Sequence, residues 1–230
     1  MIKAKARANR KLNLLIKRLI DFFGSLLIAI IISPILIVIA LSVKLTSKGP
    51  VLFKQERLGK DGNVFKIIKF RTMVVNAENI GDGLRVSSEN DIRITWVGKI
   101  LRATSLDELP QLWNVIVGEM SLVGPRPPVT YYPYPGYDNY PEWAKRRFSM
   151  RPGITGLAQV TVRNSVSWNE RTVVDNEYID KFNIWLDMKI IFKTIIKIFC
   201  PENIYLQADI GSTCKKTFPS SKESQSEKVK

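Results

Sequence analysis

An aspartate and a glutamate stand side by side in Arg102-Ala103-Thr104-Ser105-Leu106-Asp107-Glu108-Leu109-Pro110-Gln111-Leu112-Trp113, just before a proline and an apolar helical run. Such a pair can simply start a helix: Ser105-x-x-Glu108 has the form of a capping box, and acids in a first turn complement the helix dipole. It can also do chemistry. Pro110 bears on the choice. With Ser105 as N-cap, Pro110 falls deep enough in the helix to break a needed hydrogen bond; with Asp107 as N-cap it falls inside the tolerated first turn. Asp107 would then sit ionised at a helix mouth suited to phosphate, with Arg102 upstream to hold a second anion. By spacing alone the cap stands ahead and both readings stay open.

The composition narrows the chemistry. The 230 residues include no histidine, which removes Ser/His/Asp triads, Cys/His dyads, phosphohistidine and histidine-bearing zinc sites together. Acid–base or nucleophilic work falls mainly to carboxylates. Cys200 and Cys214 share no metal-type spacing and form no disulfide scaffold, as expected of a reducing, cytosol-facing chain. The formal charge of +14 asks for a polyanionic partner: nucleic acid, an anionic membrane or a phosphorylated substrate. Three basic stretches offer contacts. Gly124-Pro125-Arg126-Pro127-Pro128 presents one guanidinium from a rigid turn, suited to gripping phosphate, although an exposed turn arginine is the plainer alternative. Arg151-Pro152-Gly153-Ile154-Thr155-Gly156 is a second such loop, whose glycines allow a ligand close to the backbone but which is no P-loop. Lys66, Lys69 and Arg71 recur among Phe65, Ile67, Ile68 and Phe70, either as an anion-facing strand or as an edge strand guarded by lysine.

The elements that must position these residues follow the chain. Its length suits one domain. Residues 1–18 are basic without an acid, and the apolar run Leu19 to Val43 is a retained membrane segment, too long for a signal peptide. Ser33-Pro34 interrupts it, and Lys44 and Lys48 match the basic near end. The flanking charges favour both ends in the cytoplasm, and the residues alone leave a re-entrant helix-break-helix and a kinked transmembrane helix equally open. Val51 to Leu58 and Val64 to Met73, joined by Gly59-Lys60-Asp61-Gly62-Asn63, predict a β-hairpin. A polar loop over 74–94 contains Gly81-Asp82-Gly83 and Ser87-Ser88-Glu89-Asn90-Asp91. Thr95 caps a helix through Leu101, and Asp107 to Met120 is the next helix. Tyr131-Tyr132-Pro133-Tyr134-Pro135-Gly136-Tyr137, then Tyr140 and Trp143, suit a loop at a lipid interface or one that stacks on a base. Helices are predicted over Glu170 to Phe182 and Ile184 to Phe199. The latter, with Lys189, Lys193 and Lys197 one turn apart, is either an interfacial amphipathic helix or a core helix with one solvated face. The chain is thus expected to be mainly α with a small β-hairpin: a basic segment 1–18, a re-entrant membrane helix 19–48, a compact cytosolic catalytic domain 49–200 with amphipathic interfacial helices, and a flexible polar tail 201–230.

Taken with Lys69-Phe70-Arg71-Thr72-Met73, Gly124-Pro125-Arg126-Pro127 and Arg151-Pro152-Gly153-Ile154-Thr155-Gly156-Leu157-Ala158-Gln159, the Asp107-Glu108 stretch resembles the bacterial sugar transferase family, the monotopic phosphoglycosyl transferases, from about Lys17 to Phe199. The resemblance implies transfer of a sugar-1-phosphate from a UDP-sugar to polyprenyl (undecaprenyl) phosphate, the initiating step of glycan biosynthesis. It places the protein at the cytoplasmic face of the bacterial inner membrane. It implies Asp107 as nucleophile through a covalent phosphosugar intermediate and Glu108 as its partner in metal binding or positioning. It also implies a membrane helix broken at Ser33-Pro34. A weak carboxylate nucleophile facing an anionic diphosphate calls for Mg²⁺ held by Asp107 and Glu108. Arg102, Arg126, Arg151, Lys69 and Arg71 are the expected phosphate contacts. The expected partners are the nucleotide sugar, the polyprenyl phosphate and membrane lipids, with no nucleic acid, and homo-oligomerisation stays open. The tyrosine-rich loop departs from the family pattern, so no role transfers to it. A membrane-tethered nucleic-acid-binding module would also use the charge and aromatics, yet it leaves Asp107-Glu108 unexplained and has no recognisable motif.

Overall fold

The computed structural model describes residues 2–77, 80, 91–162 and 166–199, with side chains described from Arg10 to Lys197. Gly81-Asp82-Gly83, residues 87–90 of the polar loop, both cysteines and the tail from 201 lie outside the described residues.

Helix α1 runs from Ile2 to Thr46 and continues across Ser33-Pro34 instead of breaking there. Proline has no N–H for the carbonyl one turn back, Ile30 O. The hydroxyl of Ser33 takes over that acceptor at 2.8 Å, so the helix passes its proline without an orphaned carbonyl. Charged residues fix α1 to the rest of the molecule. Asp21 is buried and accepts from Ser121 Oγ (2.7 Å) and Leu122 N (3.0 Å). Lys17 donates to Asp187 at 2.6 Å, and Asp187 also accepts from Tyr178 OH at 2.8 Å. Farther along, Ile39 and Val43 pack with Phe70, Val97 and Leu101. The opposite face of α1 is apolar and exposed, at Leu27, Ile30, Ile31, Ile35 and Val38. By length and composition the stretch Arg10–Thr46 is sufficient to cross a bilayer.

The expected hairpin is present: β1 (Leu52–Leu58) pairs antiparallel with β2 (Val64–Phe70), from Leu52 opposite Phe70 to Leu58 opposite Val64. Its turn places Asp61 and Gly62 in the left-handed region. Helix α2 (Trp96–Thr104), α3 (Gln111–Val117), α4 (Glu142–Lys145), α5 (Leu157–Thr161), α6 (Trp168–Lys181) and α7 (Ile184–Phe199) complete a mostly helical domain. A second pair was not expected: β3 (Ser121–Val123) lies parallel to β4 (Gly153–Thr155). Strands of this length carry no readable periodicity. They bring the two proline–glycine loops together backbone to backbone. A Cβ at Gly153 would overlap Gly124 N, and one at Gly156 would overlap Gly124 O. These glycines therefore serve contact between loops, where the sequence suggested ligand approach.

Helix α7 buries Asp187 and Ile190 and exposes Trp185, Phe192, Ile195 and Ile196 alongside Lys189 and Lys193. The core beneath it consists of Val123, Met150, Val160, Tyr178, Ile179 and Ile190. Three of the loop tyrosines, Tyr134, Tyr137 and Tyr140, pack around Leu58 and Phe148.

Candidate active site

Helix α2 begins at Thr95, whose Oγ1 accepts from Gly98 N at 3.0 Å, and ends at Ser105 with φ 58°. A single 3-10 turn, Leu106–Glu108, follows, and α3 starts only after Pro110. Pro110 has no N–H to offer Leu106 O, so the backbone closes more tightly: Leu109 N donates to Leu106 O (3.3 Å) and Leu112 N to Leu109 O (3.1 Å). The expected helix from Asp107 is thus shorter, and neither Ser105 nor Asp107 caps it with a side chain. The geometry does not support the capping explanation for the acidic pair.

Strand β2 alternates, with Phe65 and Ile67 buried against Val115 and Met120. The next residue on that face is Lys69, and its Nζ meets Glu108 Oε1 at 2.6 Å. Arg126 Nη2 reaches the same oxygen at 3.1 Å. Arg126 stands on a loop whose four successive carbonyls all have donors. Pro125 O accepts from Gly153 N (3.0 Å), Arg126 O from Arg147 Nη2 (2.7 Å), Pro127 O from Arg57 Nη1 (3.0 Å) and Pro128 O from Leu58 N (3.0 Å). Arg102 Nε donates to Thr72 Oγ1 at 2.9 Å. Among the described residues the Asp107 carboxylate accepts no hydrogen bond and forms no ion pair.

These surroundings push the two acids apart. Burial raises Asp107 to about 6, assisted by the neighbouring Glu108 charge and opposed by Lys69, Arg102 and Arg126. Burial would also raise Glu108, but Lys69 and Arg126 more than offset it and hold Glu108 far below the usual carboxylate range. In return Glu108 raises Arg126, while burial and the Arg126 charge lower Arg57 to about 10. Lys69, Arg102, Arg126 and Arg57 face two carboxylates, an excess of positive charge suited to a diphosphate. One acid is locked in ion pairs; its neighbour is half-buried and, among the described residues, has no hydrogen-bond or ion-pair partner, which leaves it free to act as a nucleophile or metal ligand.

The family model for bacterial sugar transferases matches residues 12–201. The chain belongs to the bacterial sugar transferase family. It is 46% identical over 199 residues to a UDP-glucose:undecaprenyl-phosphate glucose-1-phosphate transferase of Klebsiella pneumoniae, covering 84% of this chain and 42% of that relative. Galactosyl transferase CpsE of Streptococcus agalactiae is 40% identical over 193 residues, covering 80% of this chain and 42% of CpsE. The exopolysaccharide production protein PSS of Rhizobium leguminosarum is 41% identical over 192 residues, covering 80% of this chain and 96% of its own length. The chain thus spans less than half of the first two relatives and nearly all of the third.

Within this sugar transferase Lys69, Arg102, Glu108 and Arg126 gather around Asp107, but two expected phosphate contacts lie elsewhere. Arg71 is buried and donates to Ser47 O (2.8 Å) and Ser47 Oγ (2.7 Å) just past the end of α1. Arg151 Nε donates to Gly118 O at 2.7 Å, past the end of α3. Unsatisfied carbonyls at helix C-termini attract guanidinium groups, and proximity in sequence to a site does not override that. Ser33 and Pro34 belong to α1 and not to the acidic turn. Arg57 and Arg147 went unnoticed in the sequence because their partners come from distant segments, and Thr72, quoted there only as part of a motif, holds Arg102. Arg147 additionally pairs with Asp175 at 2.7 Å, both fully buried. Among the described residues no three His, Cys, Asp or Glu converge. A metal would have Asp107 and the second oxygen of Glu108 as its protein donors. That set fits Mg²⁺, which commonly takes one or two carboxylates and completes its shell with water and substrate phosphate.

Proposed function

We propose that this sugar transferase moves a sugar-1-phosphate from a UDP-sugar to undecaprenyl phosphate, with Asp107 as the nucleophile. The observation that carries this reading is the asymmetry of the acidic pair: Glu108 is held by Lys69 and Arg126, while half-buried Asp107 is raised to about 6 and has no hydrogen-bond or ion-pair partner among the described residues. An Asp107 oxygen attacks the sugar-bearing phosphorus, the bond to the bridging oxygen breaks, and UMP leaves with that oxygen. An acyl-phosphate on Asp107 remains. An oxygen of the lipid phosphate then attacks the same phosphorus and the Asp107 carboxylate departs, giving a polyprenyl-diphosphate sugar. Lys69 and Arg126 hold Glu108 and neutralise charge beside the reacting phosphate, and the Arg102 charge, anchored on Thr72, adds to that field at Asp107. Bound Mg²⁺, held by Asp107 and Glu108, would supply charge neutralisation of the diphosphate.

The reaction needs a water-soluble donor and a lipid acceptor at one place, which fits the placement of α1. Both ends of its apolar stretch pack on the same domain, through Lys17, Arg18 and Asp21 at one end and Ile39 and Val43 at the other. Packing of both ends on one domain supports entry into a single leaflet from the cytoplasmic face over a crossing; because α1 is unbroken in the structure, such entry requires it to bend in the membrane, and Ser33-Pro34, which lacks one backbone hydrogen bond, is where it would do so. The exposed apolar side chains and lysines of α7 suit the same surface. Polyprenyl phosphate-dependent release of UMP from UDP-glucose or UDP-galactose tests the reading. Wild type should turn over steadily with ping-pong kinetics and Asp107→Asn should not; steady turnover by Asp107→Asn would remove Asp107 from the reaction.

A further inference from the structure

Helix α3 buries an amide at its middle: Asn114 is 1% exposed. Asparagine is a poor helix former, and an amide in the interior costs free energy unless its donors and acceptor are used. They are used on the strand that carries Lys69. Strand β1 holds one edge of β2. At the other edge Ile68 N donates to Asn114 Oδ1 at 3.1 Å, and Asn114 Nδ2 donates to Lys66 O at 2.9 Å. The side-chain amide thus bonds on either side of Ile67, as one peptide unit of a parallel neighbouring strand would. Asn114 Nδ2 also donates to Glu119 Oε2 at 2.7 Å. Gly118, with φ 94°, turns the chain here, and Glu119 N donates to Asn114 O at 3.0 Å, which returns the exposed Glu119 to the amide.

These partners fix both the orientation and the identity of the side chain. A backbone N–H and a backbone carbonyl require an acceptor and a donor in that order; aspartate offers acceptors alone and leucine neither. The clamp joins the two elements that carry the halves of an ion pair. Lys69 follows Ile68 directly on β2, and Glu108 stands in the turn that leads into α3. Lys69 Nζ meets Glu108 Oε1 at 2.6 Å. Phe65 and Ile67 pack β2 against Val115 and Met120, but apolar packing is non-directional and fixes position along the strand less sharply than two hydrogen bonds do. A slip of one residue would turn Lys69 to the opposite face of β2. Resting on the transfer reaction proposed above, we infer that Asn114, oriented by Glu119, is a positioning residue: its amide holds β2 on α3 so that Lys69 stays on Glu108 and Asp107 is left as the unpaired acid beside the reacting phosphate.

Full-length protein in lipid nanodiscs, with Mg²⁺ and polyprenyl phosphate, is assayed for kcat of UMP release from UDP-glucose and for melting temperature. A misplacement of about 1 Å can cost roughly a hundredfold in rate, and the flexible Lys69 stem absorbs part of it, so Asn114→Ala should lose about tenfold. Coupling to Lys69 separates positioning from simple loss of stability. In Lys69→Met, where Arg126 still holds Glu108, adding Asn114→Ala should lower kcat by no more than about twofold further. Val160→Ala, in the core beneath α7, lowers stability away from the clamp, and its effect on kcat should be the same in both backgrounds. Glu119→Ala changes an exposed side chain and leaves the fold intact; losing one orienting hydrogen bond, it should lower kcat about threefold, again with no further loss in Lys69→Met. Glu119→Gln keeps an acceptor and should recover most of that rate. Losses that multiply in the double variants, or a folded Asn114→Ala near the wild-type rate, overturn the positioning role and leave the transfer reaction standing. Where Asn114→Ala does not fold, Glu119→Ala decides, and a wild-type rate in that variant overturns the role. A wild type that releases no UMP from UDP-glucose or UDP-galactose overturns the role and the transferase reading together.

Discussion

Glu108→Gln perturbs the site without changing its shape. The carboxylate receives Lys69 Nζ at 2.6 Å and Arg126 Nη2 at 3.1 Å, and these side chains are 18%, 15% and 37% exposed, so solvent screens the pair only in part. Hydrogen bonds to charged groups contribute about 1.5–3 kcal/mol each. The amide oxygen still accepts, and Arg126 is the more screened partner, so the net loss should be about 1–3 kcal/mol, or roughly 2–10 °C in melting temperature for a domain of this size. The larger effect is on Asp107. Wild-type kcat/KM for UMP release should fall on acidification through about pH 6, as Asp107 becomes protonated and ceases to attack. In Glu108→Gln, Asp107 loses the like charge that pushes it up, and Lys69 and Arg126 lose the carboxylate with which they form ion pairs among the described residues. Both changes lower Asp107, so the acidic limb should move down by about one pH unit or more. An ion-paired carboxylate of lower basicity attacks more slowly, and the plateau rate should drop about a hundredfold, close to 3 kcal/mol in the barrier. Stopped-assay pH profiles of UMP release with a buffer series at constant ionic strength measure both. A Glu108→Gln limb that stays near pH 6 with near-normal plateau rates would refute the division of labour between the two acids.

Turnover should require a divalent cation and stop in excess chelator, recovering with Mg²⁺; full turnover in EDTA would count against metal binding at Asp107 and Glu108. Arg147→Met strands Asp175 without its partner in the interior, which should cost about 3–5 kcal/mol at neutral pH. Burial already raises Asp175 to about 6, and an acid with a raised folded pKa regains stability as pH falls through that value. The melting-temperature deficit of Arg147→Met should accordingly narrow between pH 7 and pH 5, and a constant deficit would show that the Asp175 charge is not its cause. Single cysteines at Lys11 and Lys48, in a background without Cys200 and Cys214, should react with an impermeant thiol reagent from the same side of sealed vesicles. Labelling from opposite sides would establish a crossing helix.

Much of the scaffold was legible because it rests on local rules. The Asp61-Gly62 turn between two β-rich runs marks the hairpin, Thr95 marks the start of α2, and Ile184 to Phe199 is α7 as observed. The acidic turn was legible as chemistry but not as geometry: the missing Pro110 N–H makes a 3-10 turn where the sequence suggested a helix start. Lys69 and Arg71 look alike two residues apart on one strand, yet β2 ends at Phe70 and Arg71 turns away to the end of α1. Arg57 and Arg147 escaped notice because their acceptors are backbone carbonyls about 70 and 20 residues away, which no spacing rule addresses. Proline at position 34 suggested a break, and the neighbouring Ser33 hydroxyl supplies the bond that keeps the helix whole.

In the proposed reaction Asp107 carries the sugar phosphate between donor and lipid. Rapid acid quenching of the full-length protein after mixing with UDP-sugar and Mg²⁺ in the absence of lipid acceptor tests it directly, by mass spectrometry of the peptide containing Asp107. The expected result is a burst of UMP of at most one equivalent and a matching hexose-phosphate mass on that peptide, discharged when undecaprenyl phosphate is added and absent in Asp107→Asn. Steady turnover with no adduct at any quench time, or initial-rate lines that converge as a ternary complex demands, would contradict it.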